Sequence, residues 1–144
     1  RIFEEGSTFE IGKAATLREG NDVTLITSGF CTSDTLKAAD ILAGQGISAR
    51  VLNMFTWKPI DAQAVCDAAQ QTSAIVTVEN HNIINGLGSA VSEVVGECCP
   101  VPVKRIGVPD VFGEVGSIDY LKQTFHMTVD DIVKAAQEVI NRKK

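Results

Sequence analysis

The residues best placed to do chemistry stand in one stretch, VTVENHNIINGLGSAV, residues 76–91. Glu79 and His81 lie two apart at the end of an apolar run. In extended backbone such a pair projects to one face, where a carboxylate could orient an imidazole for proton transfer. The competing reading has Glu79 accepting hydrogen bonds from loop amides while His81 faces a surface or a neighbouring domain. Asn85, Gly86 and Gly88 follow, and a helix opening there could hold a phosphate or carboxylate on its free amides. These glycines do not make a dinucleotide fingerprint. Gly86 and Gly88 are correctly spaced, but Val91 stands where the third glycine belongs, and several residues separate the strand end from Gly86. A Walker lysine loop is missing too, since IGKAA lacks the glycine-rich lead and the following Ser or Thr.

Cys31 is a second candidate. It follows the strand-like VTLITSG, which ends in Ser28 and Gly29, and precedes a helix. Free amides at such a place favour a nucleophilic thiolate. A Cys31/His81 pair is geometrically open, but no oxyanion hole or orienting third group is readable, and simple packing is the alternative. Trp57, before Lys58-Pro59, suits an anchor against another domain. Asp61 suits a helix N-cap. His126, in TFHMT, falls between two helices as a capping or surface residue. No complete catalytic set emerges.

These residues require a scaffold, and its rhythm is regular. VTLITSG reads as a buried strand, then SDTLKAADILAGQG as a helix with Leu36, Ala39 and Ala43 on one face, ending at Gly44 or Gly46. ARVLNMF and a helix capped by Asp61 repeat the unit, as do SAIVTVE and GLGSAVSEVVGE. VKRIGV is a further strand, PDVFGEVGSID a loop, YLKQTF a short helix and TVDDIVKAAQEVINRKK a long one. In the last, Val129, Ile132, Val133, Ala136 and Val139 share a stripe. Thr128 can cap it, and Arg142 to Lys144 oppose its dipole. Strands alternating with helices predict a three-layer α/β/α sandwich. Its sheet has about five strands, mostly parallel, with AATLRE as an antiparallel edge strand. Ligands of such sheets sit beyond the strands' carboxyl ends, here the loops at residues 28–33, 55–61, 79–88 and 108–116.

The bulk composition narrows the classes. With 144 residues, 44% hydrophobic and 22% charged, the chain fits one domain with a substantial core. A net charge of -5 offers no basic stripe for nucleic acid. The apolar runs fall short of the roughly 20 residues that span a bilayer, so a soluble, cytoplasmic protein is expected. Cys31, Cys66, Cys98 and Cys99 lack zinc-ligand spacing, and reduced thiols are the plainer expectation. Arg1 opens the chain, and residues 1–20 read as an arm and edge strand leading into a domain over 21–144. Such an arm suits an upstream segment, with a processed N-terminus as the alternative.

The order of GNDVTLITSG, AADILAGQGISARVLNMFTWKPID, IVTVENHNIINGLGSAVSEVV and VPVKRIGVPDVFGEVGS resembles the C-terminal domain of transketolases. Deoxyxylulose phosphate synthases and the beta subunits of 2-oxoacid dehydrogenases share that domain. The FEIGKAATLREGNDVTLI lead is most similar to a transketolase C-terminal section. The resemblance implies two-carbon ketol transfer between sugar phosphates, of the pentose phosphate kind, using thiamine diphosphate and Mg. In the family those cofactors are held by upstream domains or a separate subunit, in a homodimer. The Gly-Asp-Gly metal-diphosphate motif does not occur in these 144 residues. The expectation is therefore an assembly domain, inactive alone and holding no cofactor. No catalytic role is carried over. Ser28, Gly29, Cys31, Trp57, Asp61, Glu79, His81, Asn85, Gly86 and Gly88 stand as crevice or interface candidates. A regulatory module binding small anions is the alternative from another class.

Overall fold

Short stretches rich in valine, isoleucine and leucine become the sheet in a computed structural model that describes residues 2–143. Arg1 and Lys144, the outer ends of the expected arm and basic tail, lie outside the described residues. The strands are β1 (Ala15–Arg18), β2 (Val23–Thr27), β3 (Ala49–Asn53), β4 (Ile75–Asn82) and β5 (Val103–Val108). The helices are α1 (Cys31–Gly44), α2 (Ala62–Thr72), α3 (Leu87–Cys98), α4 (Ile118–Thr124) and α5 (Val129–Ile140). The sheet order is β1-β3-β2-β4-β5. Among the described residues, only the β1/β3 pairing is antiparallel. The expected α/β/α sandwich with one antiparallel edge strand is the observed fold.

Alternation along the strands splits the core in two. Val23, Leu25, Val51, Val76 and Val78 face α1 and α5, where they meet Ala38, Leu42, Ile132 and Val139. Ile26, Leu52 and Ile75 face α2 and α3, where they meet Val65, Ala69, Leu87 and Val91. All five residues of β2 are buried, as a central strand covered on both faces demands.

The helix ends follow their cap residues. Asp61 accepts from the Ala64 amide at 3.1 Å and also from the Ala14 amide at 2.9 Å, so one carboxylate starts α2 and ties down the arm. The arm is further held by edge-to-face contacts of Phe9 with Phe3 and Phe55. Thr128 and Asp131 close a capping box on α5.

Several expectations are corrected. On α1 the buried residues include Ala38, Ala39 and Leu42, while Ala43 is exposed, because the helix turns a different stripe to the sheet. The last turn of α5 holds no basic residue. Arg142 and Lys143 follow the helix rather than complete it. β4 continues past Glu79 to Asn82, with an irregular register between Val78 and Asn82 against β5. Cys66 and Cys98 are not free thiols: they form a disulfide between α2 and α3, with Cα atoms 6.0 Å apart. Their spacing of 32 residues gave no signal, because the two helices become neighbours only by packing on the same sheet face.

Candidate functional site

The carboxyl ends of the parallel strands gather the expected site residues around two different features. The first is the elbow after β4. Glu79, although an acid, is fully buried. Its Oε2 accepts from the Leu87 amide at 2.6 Å and its Oε1 from the Gly88 amide at 2.8 Å. Helix α3 has no side-chain cap at Gly86, so this strand carboxylate serves its orphan amides from eight and nine residues away. Burial pushes the Glu79 carboxyl above its ordinary value, and the two amides oppose that rise.

The glycines serve the same contact. A Cβ on Gly86 would fall 2.0 Å from Glu79 Oε2, and one on Gly88 would meet Arg105 Cδ at 2.7 Å and Thr77 Oγ1 at 2.8 Å. Bare backbone is needed for the carboxylate and the β5 arginine to close in, which leaves these glycines without an open phosphate cradle. Arg105, passed over in the sequence, crosses above Gly88 and donates to the Ile83 carbonyl at 2.8 Å. Its only signal was the pair of basic residues, Lys104 and Arg105, inside the strand-like VKRIGV.

His81 shares Glu79's side of β4 but is exposed. Its Nδ1 lies 2.8 Å from the Asn82 carbonyl, and its ring stands edge-on to Trp57 at 6.0 Å. Both Glu79 oxygens serve amides, so no carboxylate–imidazole pair is made. Trp57 donates Nε1–H to the Met54 carbonyl at 3.2 Å. Trp57, Pro59, Ile60, Asn85 and Gly86 line a groove of about 520 Å³ against α3. Asn85 adopts φ 62° and donates its amide to Ser89 Oγ.

The second feature lies at the ends of β2, β4 and β5. Phe30, Asn80, Val108, Leu121, Phe125 and Met127 line a mainly apolar cavity of about 250 Å³ roofed by α4. Ser28 is buried, and Gly29, at φ +57°, brings its Cα face toward the Asn80 side chain. Cys31 opens α1 but is buried. Desolvation pushes its thiol up to about 11, with the Lys122 ammonium only partly offsetting this. That is the opposite of an activated nucleophile. Lys122 reaches from α4 to Asp34 and lies 5.4 Å from the Phe30 ring centroid. Burial raises the Asp34 carboxyl, but Lys122 and Lys37 outweigh it and hold it below the ordinary range. His126, between α4 and α5, is exposed at φ 54°.

With the geometry in view, comparison with known proteins decides the family. Residues 12–132 match the transketolase C-terminal domain. The chain belongs to that family. It is 54% identical, over 99% of its length, to the 6-deoxy-6-sulfo-D-fructose transketolase subunit SqwH of Clostridium sp. (strain MSTE9), covering 44% of that protein. It is 43% identical, over 88% of its length, to the 1-deoxy-D-xylulose-5-phosphate synthase of Desulforudis audaxviator (strain MP104C), covering 20% of it. A split-gene transketolase solved as an inactive beta4 tetramer superposes with a TM-score of 0.96 at 42% identity. That match covers 100% of this chain and 47% of the other. This transketolase C-terminal domain thus spans less than half the length of these relatives.

Transketolases as a family use thiamine diphosphate with a divalent metal, and the residues of this domain do not fit that group. Among the described residues no three His, Cys, Asp or Glu side chains stand together as metal ligands. The buried carboxylate at the strand ends is committed to α3. The strand-end loops do expose large apolar side chains: Phe112 and Val115 are fully exposed in the loop after β5, and Phe30, Ile84 and Ile118 are about half exposed.

Proposed function

We propose that this domain assembles with upstream cofactor-binding domains, on a separate subunit of a split transketolase, to make a transferase that moves a two-carbon ketol unit between sugar phosphates. The complete enzyme, in this reading, is a homodimer of such assemblies using thiamine diphosphate and Mg, and the present chain is inactive alone. The observation that carries it is the 54% identity across 99% of the chain to a transketolase subunit.

Two features of the domain support an assembly role over a catalytic one. Glu79 is consumed in holding α3, and the strand-end loops expose large apolar side chains at Phe112 and Val115. Exposed aromatic and branched residues near one another mark contact surfaces.

The experiment is a titration followed by reconstitution. Calorimetry of the chain with thiamine diphosphate and Mg is expected to give no heat of tight binding, and a submicromolar site would overturn the reading. Mixing the chain with the cofactor-binding part of the enzyme is then expected to give ketol transfer to an aldose phosphate, assayed with a ketose phosphate as donor and, in parallel, with the sulfonated ketose that the relative's name carries, 6-deoxy-6-sulfo-D-fructose. Formation of 1-deoxy-D-xylulose 5-phosphate instead would move the chain to the synthase branch of the family.

A further inference from the structure

We infer that Cys66 and Cys98 form a reversible redox site, oxidised by a low-molecular-weight disulfide of the glutathione class, that ties together the two walls of the groove between the Trp57–Ile60 loop and α3. Cys66 lies in the second turn of α2, and Cys98 is the last residue of α3. Their Cα separation of 6.0 Å suits a disulfide without backbone movement. Cys66 is half-buried and Cys98 exposed, so a small thiol or disulfide reaches the bond from solvent. A cross-link sealed in the core would resist such exchange.

The helices pack without the bond. Val65, Ala68, Ala69, Val91 and Val95 lie in the apolar cluster that α2 and α3 share, so reduction leaves a folded layer rather than an unfolded one. What the bond adds is a constraint on the groove. One wall, Trp57 to Ile60, runs directly into the Asp61 cap of α2, and the other includes Ala90 and Val94 of α3. Each wall is thus anchored on one of the cross-linked helices.

The step balances as thiol–disulfide exchange. The Cys98 thiolate attacks the small disulfide, forming a mixed disulfide and releasing one thiolate. The Cys66 thiolate then attacks the Cys98 sulfur and expels the second. Two protein thiols are oxidised to one S–S bond, one small disulfide is reduced to two thiols, and the protons from the cysteines end on those thiols.

The test equilibrates the chain in glutathione buffers spanning reduced to oxidised, alkylates the free thiols, and maps the cysteines by mass spectrometry. Trp57, the chain's one tryptophan, reports on the groove through acrylamide quenching. At the oxidised end the expected results are a chain lighter by two hydrogens, a linked Cys66–Cys98 peptide and weaker quenching of Trp57. The melting temperature should rise by about 10 °C for a link across 32 residues. Cys66→Ser and Cys98→Ser should each abolish both responses, and Cys99→Ser should keep them. A Cys98–Cys99 link, a persistent mixed disulfide, or identical melting and quenching in the two states would overturn the inference.

Discussion

A methyl group on Gly86 would stand 2.0 Å from Oε2 of Glu79, which makes the glycine and the buried acid one device for starting α3. Gly86→Ala is expected to destabilise the fold by about 2–3 kcal/mol by overpacking this contact. Glu79→Ala should cost about as much, by leaving the Leu87 and Gly88 amides buried without an acceptor. Because each change disrupts the same contact, the double variant should lose less than the sum of the two. Urea unfolding of the four proteins measures this, and strict additivity would show that the residues act separately.

Two carboxyls give the stability profile opposite slopes with pH. Asp34 is held below its ordinary value in the folded state, so its contribution is present above the unfolded pKa and is lost as pH falls through the lower, folded one. Glu79 is raised in the folded state. The native form therefore holds the proton longer, and stability falls as pH climbs from the ordinary glutamate value to the raised one. Denaturation series across the acid range should show Asp34→Asn removing the acid-side loss and Glu79→Gln flattening the later decline. An unchanged profile in Glu79→Gln would remove the second assignment.

Helix α4 buries none of its residues fully, and Lys122 pins it through Asp34 and the Phe30 ring. Lys122→Met should let the α4 amides exchange hydrogen roughly 5- to 30-fold faster, the effect of about 1–2 kcal/mol in local opening. Amides of β2 and β4 should exchange at their original rates. Equal protection of α4 in both proteins would show that the roof of the 250 Å³ cavity is held by its apolar contacts alone.

The Cys31 thiol should be inert. With its pKa near 11 against an ordinary 9.0, the thiolate fraction at neutral pH is roughly a hundredfold below that of a free thiol. Its burial slows attack further. Alkylation by iodoacetamide followed by peptide mapping should label Cys31 only after unfolding. Labelling at the rate of a free thiol would restore it as a nucleophile candidate.

Much of this was legible in the chain. Runs such as VTLIT and AIVTV declared strands because a continuous apolar run suits a strand covered on both faces, and the segments between them carried helical spacing. Asp61 and Thr128 announced their helices because a cap acts within three residues. The placement of Glu79 and His81 on one side of β4 also followed from the two-residue period. Their roles were not legible, because each depends on what comes near: Glu79 meets the α3 amides, while His81 meets Trp57.

The sequence alone therefore determined the local backbone, the alternation of elements and, through motifs spread along the chain, the family. Tertiary structure decided which side chains meet. Asp34 and Lys122 are 88 residues apart in sequence, and Cys66 and Cys98 are 32 apart. Those encounters exist because the assembled sheet β1-β3-β2-β4-β5 sets α2 beside α3 on one face and α1 with α5 on the other, where Lys122 of α4 reaches Asp34 of α1. Local patterns act over one or two turns, and nothing in them encodes a partner that only the assembled sheet brings within reach.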